Sequence, residues 1–182
     1  MIQTRHAVLL AALLCWGCTR DAGTASPRPP PKPAEQMSES FHNLYQTDGV
    51  YFAGLPTERG FAQMQEAGVT LVVNLLTEPE VKGRLQFDEQ ALSESLGMTY
   101  VHIPVSPESY SREDVDRLAE AMAKTDGKVL IHCASSNRVG ALWANYLMIE
   151  DGLSKDEALR QGQAAGMKAP AMVAAFERVA GG

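Results

Sequence analysis

Apolar and polar positions along the 182 residues change rhythm three times. Ala7 to Cys18, AVLLAALLCWGC, is an uncharged apolar run behind the single basic residue Arg5. Thr19 to Ser38 holds five prolines and no large apolar residue before Met37. From about residue 40 onward, short β-rich runs alternate with helical periodicity. Val50–Ala53 predicts a short strand, followed by Gly54-Leu-Pro-Thr57 and a helix over 58–67 that Gly68 ends. Val69-Thr-Leu-Val-Val73 is a near-continuous β-branched run, the pattern of a strand buried on both faces. A helix is predicted over 88–96, stopping at Gly97, and a strand over 99–103, stopping at Pro104. Ser111 reads as the N-cap of a helix to about Lys124, with Val115, Leu118 and Met122 on one face. Asp126-Gly127 turns the chain into a strand, Lys128-Val-Leu-Ile-His132, and Val139, Leu142, Trp143, Tyr146 and Leu147 then recur at helical spacing. Ser154-Lys-Asp-Glu157 matches a capping box, and a last helix begins near Pro170. This alternation predicts an α/β domain with a central, mostly parallel sheet flanked by helices and a helical C-terminal part.

The first apolar run is shorter than the ~20 residues of a membrane-spanning helix and fits the ~7–15 of a signal-peptide core. Cys18, behind the small Gly17, resembles the acceptor cysteine of a bacterial lipoprotein signal. Ordinary secretion and an uncleaved anchor are the alternatives. A redox or zinc reading of the Cys15/Cys18 pair is set aside, because both thiols lie in the segment to be processed. The expected partition is a lipoprotein-type signal over 1–18 with lipid on Cys18, a proline-rich disordered tether over 19–38, and one domain over 39–182. Thr19 is not the aspartate of an inner-membrane retention signal. The expected location is therefore the bacterial envelope, with the membrane as partner through lipid at the outer membrane, facing the periplasm.

Charge narrows the partners. The net charge is −6, and residues 39–182 hold twelve basic against twenty acidic side chains. An acidic domain with no basic stripe argues against nucleic acid, whose phosphates demand neutralisation. His42 and His102 have no metal-ligand spacing, so no metal is expected.

The chemistry concentrates in HCASSNRVG, residues 132–140, between a strand and a helix. Open α/β sheets bind ligands beyond the carboxyl ends of their strands. The N–H groups of Ala134, Ser135, Ser136 and Asn137, ahead of a helix N-terminus, would form an anion nest. Arg138 adds a planar guanidinium suited to a tetrahedral oxyanion. Cys133, at the mouth, would be favoured as a thiolate by the same groups and act as nucleophile for phosphoryl or sulfur transfer. The alternative for a lone cysteine at a strand end is a small buried hydrophobe. For His132, simple burial in the strand is the stronger reading.

Val129-Leu-Ile-His-Cys-Ala-Ser-Ser-Asn-Arg-Val-Gly140, with Ala53-Gly-Leu-Pro-Thr57 and Val73-Asn-Leu75 upstream, resembles the cysteine-based protein tyrosine/dual-specificity phosphatase superfamily. It looks closest to the bacterial phosphatase-like domains related to those fused to β-lactamase-like hydrolases, over most of residues 45–167. The resemblance implies a protein-tyrosine-phosphatase-like fold and a phosphocysteine formed on Cys133. Arg138 and the loop amides would hold the phosphoryl oxygens, an acid would protonate the leaving group, and no cofactor would be needed. The implied partner is a phosphorylated protein or a small phosphoester. The sequence departs from the usual motif in four ways. Four residues rather than five separate Cys133 from Arg138; Ser136 stands where a glycine is usual; Val139 replaces a hydroxyl residue, leaving Ser135 to assist the departing thiolate; and no aspartate lies in Pro104–Tyr110, where Glu108 is the candidate acid. Asp114 and Asp116 read as surface charges. A catalytically silent phosphate- or partner-binding domain and a rhodanese-like sulfurtransferase with a persulfide on Cys133 remain alternatives.

Overall fold

A computed structural model of the chain describes residues 28–182. Six strands, β1 (Lys32–Pro33), β2 (Leu44–Thr47), β3 (Val50–Ala53), β4 (Val69–Asn74), β5 (Thr99–His102) and β6 (Lys128–His132), form one sheet in the order β1-β2-β3-β6-β4-β5. Strands β3, β6, β4 and β5 are parallel neighbours, and β1 and β2 add an antiparallel edge. The helices are α1 (Glu58–Glu66), α2 (Glu78–Arg84), α3 (Glu89–Ser95), α4 (Arg112–Met122), α5 (Asn137–Glu150), α6 (Lys155–Ala164) and α7 (Pro170–Ala180).

The β-branched runs are buried on both sides, as a parallel sheet requires. Val50, Phe52, Leu71, Val73, Val129 and Ile131 pack with α4, α5 and α7 on one face. Tyr51, Ala53, Val72 and Leu130 pack on the other with Phe61 and Met64 of α1. Helix α5 exceeds its predicted one-sided stripe. Every residue from Val139 to Leu147 is buried, because α4, α6 and α7 enclose the faces the sheet leaves free.

The proline-rich segment departs from the expected disordered tether. From Arg28 onward it is folded onto the domain: Arg28 pairs with Asp151 at 2.8 Å, and its guanidinium lies 5.6 Å from the Trp143 ring centroid. Lys32 and Pro33 pair with Gln46 and Tyr45 at the sheet edge, where proline is tolerated, and Ala34 is buried. Cation–π contact and edge pairing supply what the segment lacks in apolar surface. The folded unit therefore includes residues 28–38 as well as the predicted domain. Cys15, Cys18 and the predicted signal segment lie outside the described residues.

Gly54 shows how tightly the sheet end is built. A Cβ there would run into the carbonyl oxygen of His42 and come within 3.0 Å of that of Ala134, and both are backbone atoms that cannot swing away. Gly54→Ala is expected to destabilise the fold by about 3 kcal/mol, as overpacking does. A urea midpoint equal to that of the unsubstituted chain would contradict this packing.

Candidate active site

Strand β6 lies between β3 and β4, so the chain leaving it emerges at the carboxyl edge of the sheet, flanked by two parallel strand ends. The Cys133 N–H donates to Ala53 O at 3.1 Å, Leu75 N–H to His132 O at 2.9 Å, and Leu55 N–H to Ala134 O at 3.3 Å. These bonds hold both sides of the loop. Ser136 caps α5 in the left-handed region, with φ 64°, which a non-glycine residue adopts at a cost. Its Oγ donates to Ala165 O at 2.7 Å, a buried bond that holds it there. Asn137 Oδ1 accepts from the N–H groups of Lys168 and Ala169, each at 2.7 Å, and its Nδ2 donates to Ser135 Oγ at 3.1 Å. The Ser136 and Asn137 side chains thus brace the loop against the turn before α7. The N–H groups of Ala134, Ser135 and Asn137 donate to no backbone acceptor among the described residues.

Cys133 is 1% exposed, more deeply set than its expected place at the mouth, because the ends of β3 and β4 close over the first loop residue. Arg138 is held by three elements at once. Its Nη1 donates to Leu75 O at 3.2 Å, Val105 O at 3.0 Å and Glu80 Oε2 at 2.6 Å, and its Nη2 donates to Glu80 Oε1 at 2.8 Å. Burial alone would lower the Arg138 pKa, but the hydrogen bonds and charge of Glu80, with the nearby Cys133 sulfur, raise it above the ordinary value. Burial alone would raise Glu80, but Arg138 and the Thr77 N–H outweigh it and hold the carboxyl at about 2. The structure thus brings Cys133, Arg138 and the loop amides together and adds Glu80, which sequence reasoning missed. A signal was present in Thr77-Glu-Pro-Glu80, whose Thr77 and Glu80 form the capping box of α2.

Because the folded-state pKa of Glu80 is depressed, its contribution to stability is full above the ordinary value of 4.5 and is lost as pH falls toward about 2. Glu80→Gln is expected to flatten the stability curve in that acid window. Urea unfolding between pH 5 and pH 2.5 would show it (roughly one pH step per half unit), and an unchanged slope would contradict the pairing.

Glu108, the candidate acid, sits on a loop pinned from several sides. Arg138 fixes Val105 O, Arg178 binds Pro107 O at 2.9 Å and Tyr110 O at 3.0 Å, and buried Tyr110 donates to Ala141 O at 3.2 Å. On this pinned loop the Glu108 side chain is exposed, and its carboxyl is lowered by its own backbone N–H, by Ser106 and by the charge of Arg178. A general acid must hold its proton at working pH, whereas this setting favours the carboxylate. Asp114 serves the capping box of α4, and Asp116 pairs with Arg112.

His132 is fully buried, in line with the stronger reading of its strand position. Its Nε2 lies 2.6 Å from Glu89 Oε1, a contact the sequence did not reveal.

Residues 55–148 match the family model of the beta-lactamase hydrolase-like protein, phosphatase-like domain. A beta-lactamase hydrolase-like protein of Xylella fastidiosa is 30% identical over 129 residues, 70% of this chain and 30% of its own, so the chain spans under a third of that relative. The dual specificity protein phosphatase TpbA of Pseudomonas aeruginosa is 26% identical over 163 residues, 88% of this chain and 70% of its own. A solved DUF442 protein of Shewanella putrefaciens superposes with a TM-score of 0.64 at 28% identity, covering 81% of this chain and 97% of its own. The matched stretch contains Glu80, Cys133 and Arg138, and on this evidence the chain belongs to the phosphatase-like domain family of beta-lactamase hydrolase-like proteins, within the cysteine-based protein tyrosine/dual-specificity phosphatase superfamily.

Proposed function

We propose that the chain is a cysteine-dependent phosphomonoester hydrolase acting on phosphotyrosine or another phosphoester of a protein or small molecule. The observation that carries this reading is the meeting of Cys133 with an Arg138 already oriented by Glu80, ahead of loop amides free to bind an anion. In the first step the Cys133 thiolate attacks phosphorus; an S–P bond forms as the P–O bond to the leaving group breaks. Arg138 and the N–H groups of Ala134, Ser135, Ser136 and Asn137 stabilise the equatorial oxygens where charge is held. Water then attacks phosphorus, the S–P bond breaks, inorganic phosphate leaves, and the thiolate returns. TpbA, a similar protein by sequence, carries the name dual specificity phosphatase and is known as a complex with phosphotyrosine, which supports this substrate class.

Glu108 is exposed and its pKa is lowered, first by its own backbone N–H, so in this reading the leaving group departs with little help from it. Aryl phosphates, whose oxide leaves readily, are the preferred substrates, and Glu108→Gln is expected to lower kcat less than about tenfold, below the range of a true general acid. A larger loss, confined to substrates with poor leaving groups, would restore Glu108 as the acid.

The deciding experiment is hydrolysis of an aryl phosphate by the purified chain, lost in Cys133→Ser. Sulfur transfer from thiosulfate to cyanide without phosphatase activity would favour the rhodanese-like alternative. Vanadate binding with neither activity would favour a silent phosphate-binding domain.

The envelope reading belongs to the same proposal. Cys18 is proposed as the lipid attachment site of an outer-membrane protein facing the periplasm, with residues 1–18 as signal and the stretch between Cys18 and Arg28 as a spacer. Its support is the apolar run and the Gly17-Cys18 junction. Among the described residues no helix is long and apolar enough to cross a membrane. Palmitate incorporation lost in Cys18→Ala is the test.

A further inference from the structure

Helix α7 is tied to both loops that meet at Arg138, and the proposed reaction gives it no part. Just before its start, the N–H groups of Lys168 and Ala169 donate to Oδ1 of Asn137, the neighbour of Arg138, each at 2.7 Å. Near its other end, Arg178 Nη2 donates to Pro107 O at 2.9 Å and to Tyr110 O at 3.0 Å. Between the two, Met172, Ala175 and Phe176 are buried in the core shared with α5. Buried Asn145 of α5 donates to Phe176 O at 3.4 Å and to the Tyr110 hydroxyl at 2.9 Å. The 11 residues of α7 span about 16 Å as one rigid element. That element joins the catalytic loop to the loop over 104–110, whose Val105 O receives Arg138.

An arginine on the exposed last turn of a helix is ordinarily a solvated charge, or one that meets the carbonyls of its own helix end. Arg178 instead reaches carbonyls 71 and 68 positions away, both through one nitrogen. Its worth to stability is small, because bonds at an exposed site replace bonds to water and holding a long side chain still costs rotamer freedom. What the bonds fix is the place of the loop. Ser106 and Ser109 each accept the other's N–H, and Tyr110 N–H donates to Ser106 O at 2.9 Å, so residues 106–110 form one closed turn. Val105, directly before that turn, gives its carbonyl to Arg138 Nη1 at 3.0 Å. A displaced turn therefore displaces one of the acceptors that aim the guanidinium. Arg178 lies beyond the stretch 55–148 that carries the family match.

We propose that Arg178 is a positioning residue for Arg138: by clamping Pro107 and Tyr110 to α7 it holds Val105 O on the guanidinium and keeps the anion site in shape. This rests on the reading of the site as a phosphatase. The test compares the full chain with Arg178→Met, which keeps the stem and removes every donor, by aryl phosphate kinetics, vanadate calorimetry and thermal unfolding. Arg178→Met is expected to lower kcat about tenfold with KM within about twofold, and to weaken vanadate about tenfold, the scale of one lost hydrogen bond to a charged group. Its Tm should fall by less than about 3 °C. Arg178→Lys should recover most of kcat, because both bonds leave one nitrogen and an ammonium carries three donors. In an Arg138→Lys background, Arg178→Met should cost no further kcat, since it acts through the guanidinium, while its small effect on Tm persists. An Arg178→Met chain with lower Tm but unchanged kcat and vanadate affinity overturns the proposal, as does a further tenfold loss in the Arg138→Lys background. Absence of Cys133-dependent turnover in the unsubstituted chain overturns the phosphatase reading instead. Vanadate then decides alone: weaker binding by Arg178→Met upholds the clamp, and equal binding, or none by either chain, overturns it.

Discussion

Cys133→Ser is expected to abolish turnover of an aryl phosphate, lowering kcat by roughly 10^4- to 10^6-fold, the scale seen when an enzyme loses its nucleophile. A serine hydroxyl at this position has no adjacent base to activate it, whereas a thiol is partly ionised and intrinsically more nucleophilic. The anion site itself should survive. The loop amides belong to the backbone, and Arg138 is held by Glu80, Leu75 O and Val105 O, none of which depends on the sulfur. The variant is therefore expected to bind phosphate or vanadate with an affinity close to that of the unsubstituted chain. Titration calorimetry with vanadate, beside initial rates, checks both halves. Loss of binding together with turnover would mean that the substitution had collapsed the loop.

The second large effect belongs to Arg138. An ammonium cannot reproduce a fork that reaches two Glu80 oxygens and two carbonyls at once. Arg138→Lys is expected to lower kcat/KM about 10^3-fold, as removal of an oriented oxyanion donor does. It should also cost about 2 kcal/mol of stability. Breaking a fully buried pair costs more, but Glu80 keeps 21% and Arg138 11% of side-chain exposure, so solvent moderates the loss. Glu80, freed of its partner, should titrate closer to the ordinary carboxylate range. Kinetics and urea unfolding of Arg138→Lys, Glu80→Gln and the double variant measure this directly. The two substitutions should be far from additive, since they remove one shared interaction.

The parts of this site that were legible in the sequence are those whose signals are local. The run from Lys128 to His132 reads as a buried strand because β-branched and aliphatic residues follow one another, and β6 has these bounds. Cys133, Arg138 and the start of α5 follow in order, so the loop could be located before its shape was known. Ser136, where a glycine is usual, does take φ 64°, and the bond to Ala165 that holds it there comes from a residue 29 positions away.

What escaped notice depends on tertiary contact. Helix α2 buries no residue, so it has no apolar stripe to announce it, and Glu80 matters only because Arg138 arrives from 58 positions away. Glu89 sits in DEQALSES, which reads as a solvated helix start; its burial follows from where β6 delivers His132. Arg28 and its prolines look too polar to fold, yet the Trp143 face and Asp151 give that segment a place to dock. Glu108 was chosen by elimination along one loop, and its exposure and the hydrogen bonds that lower its pKa come from how that loop is folded.

The most direct measurement of the central claim is capture of the covalent intermediate. The full chain is mixed with an excess of aryl phosphate, quenched in denaturant within the first turnover, digested, and peptide 129–138 is weighed by mass spectrometry. One phosphoryl group on Cys133 is expected, appearing with the burst of released alcohol and disappearing as substrate is exhausted. Steady turnover with that peptide never phosphorylated, or turnover that persists in Cys133→Ser, would contradict it.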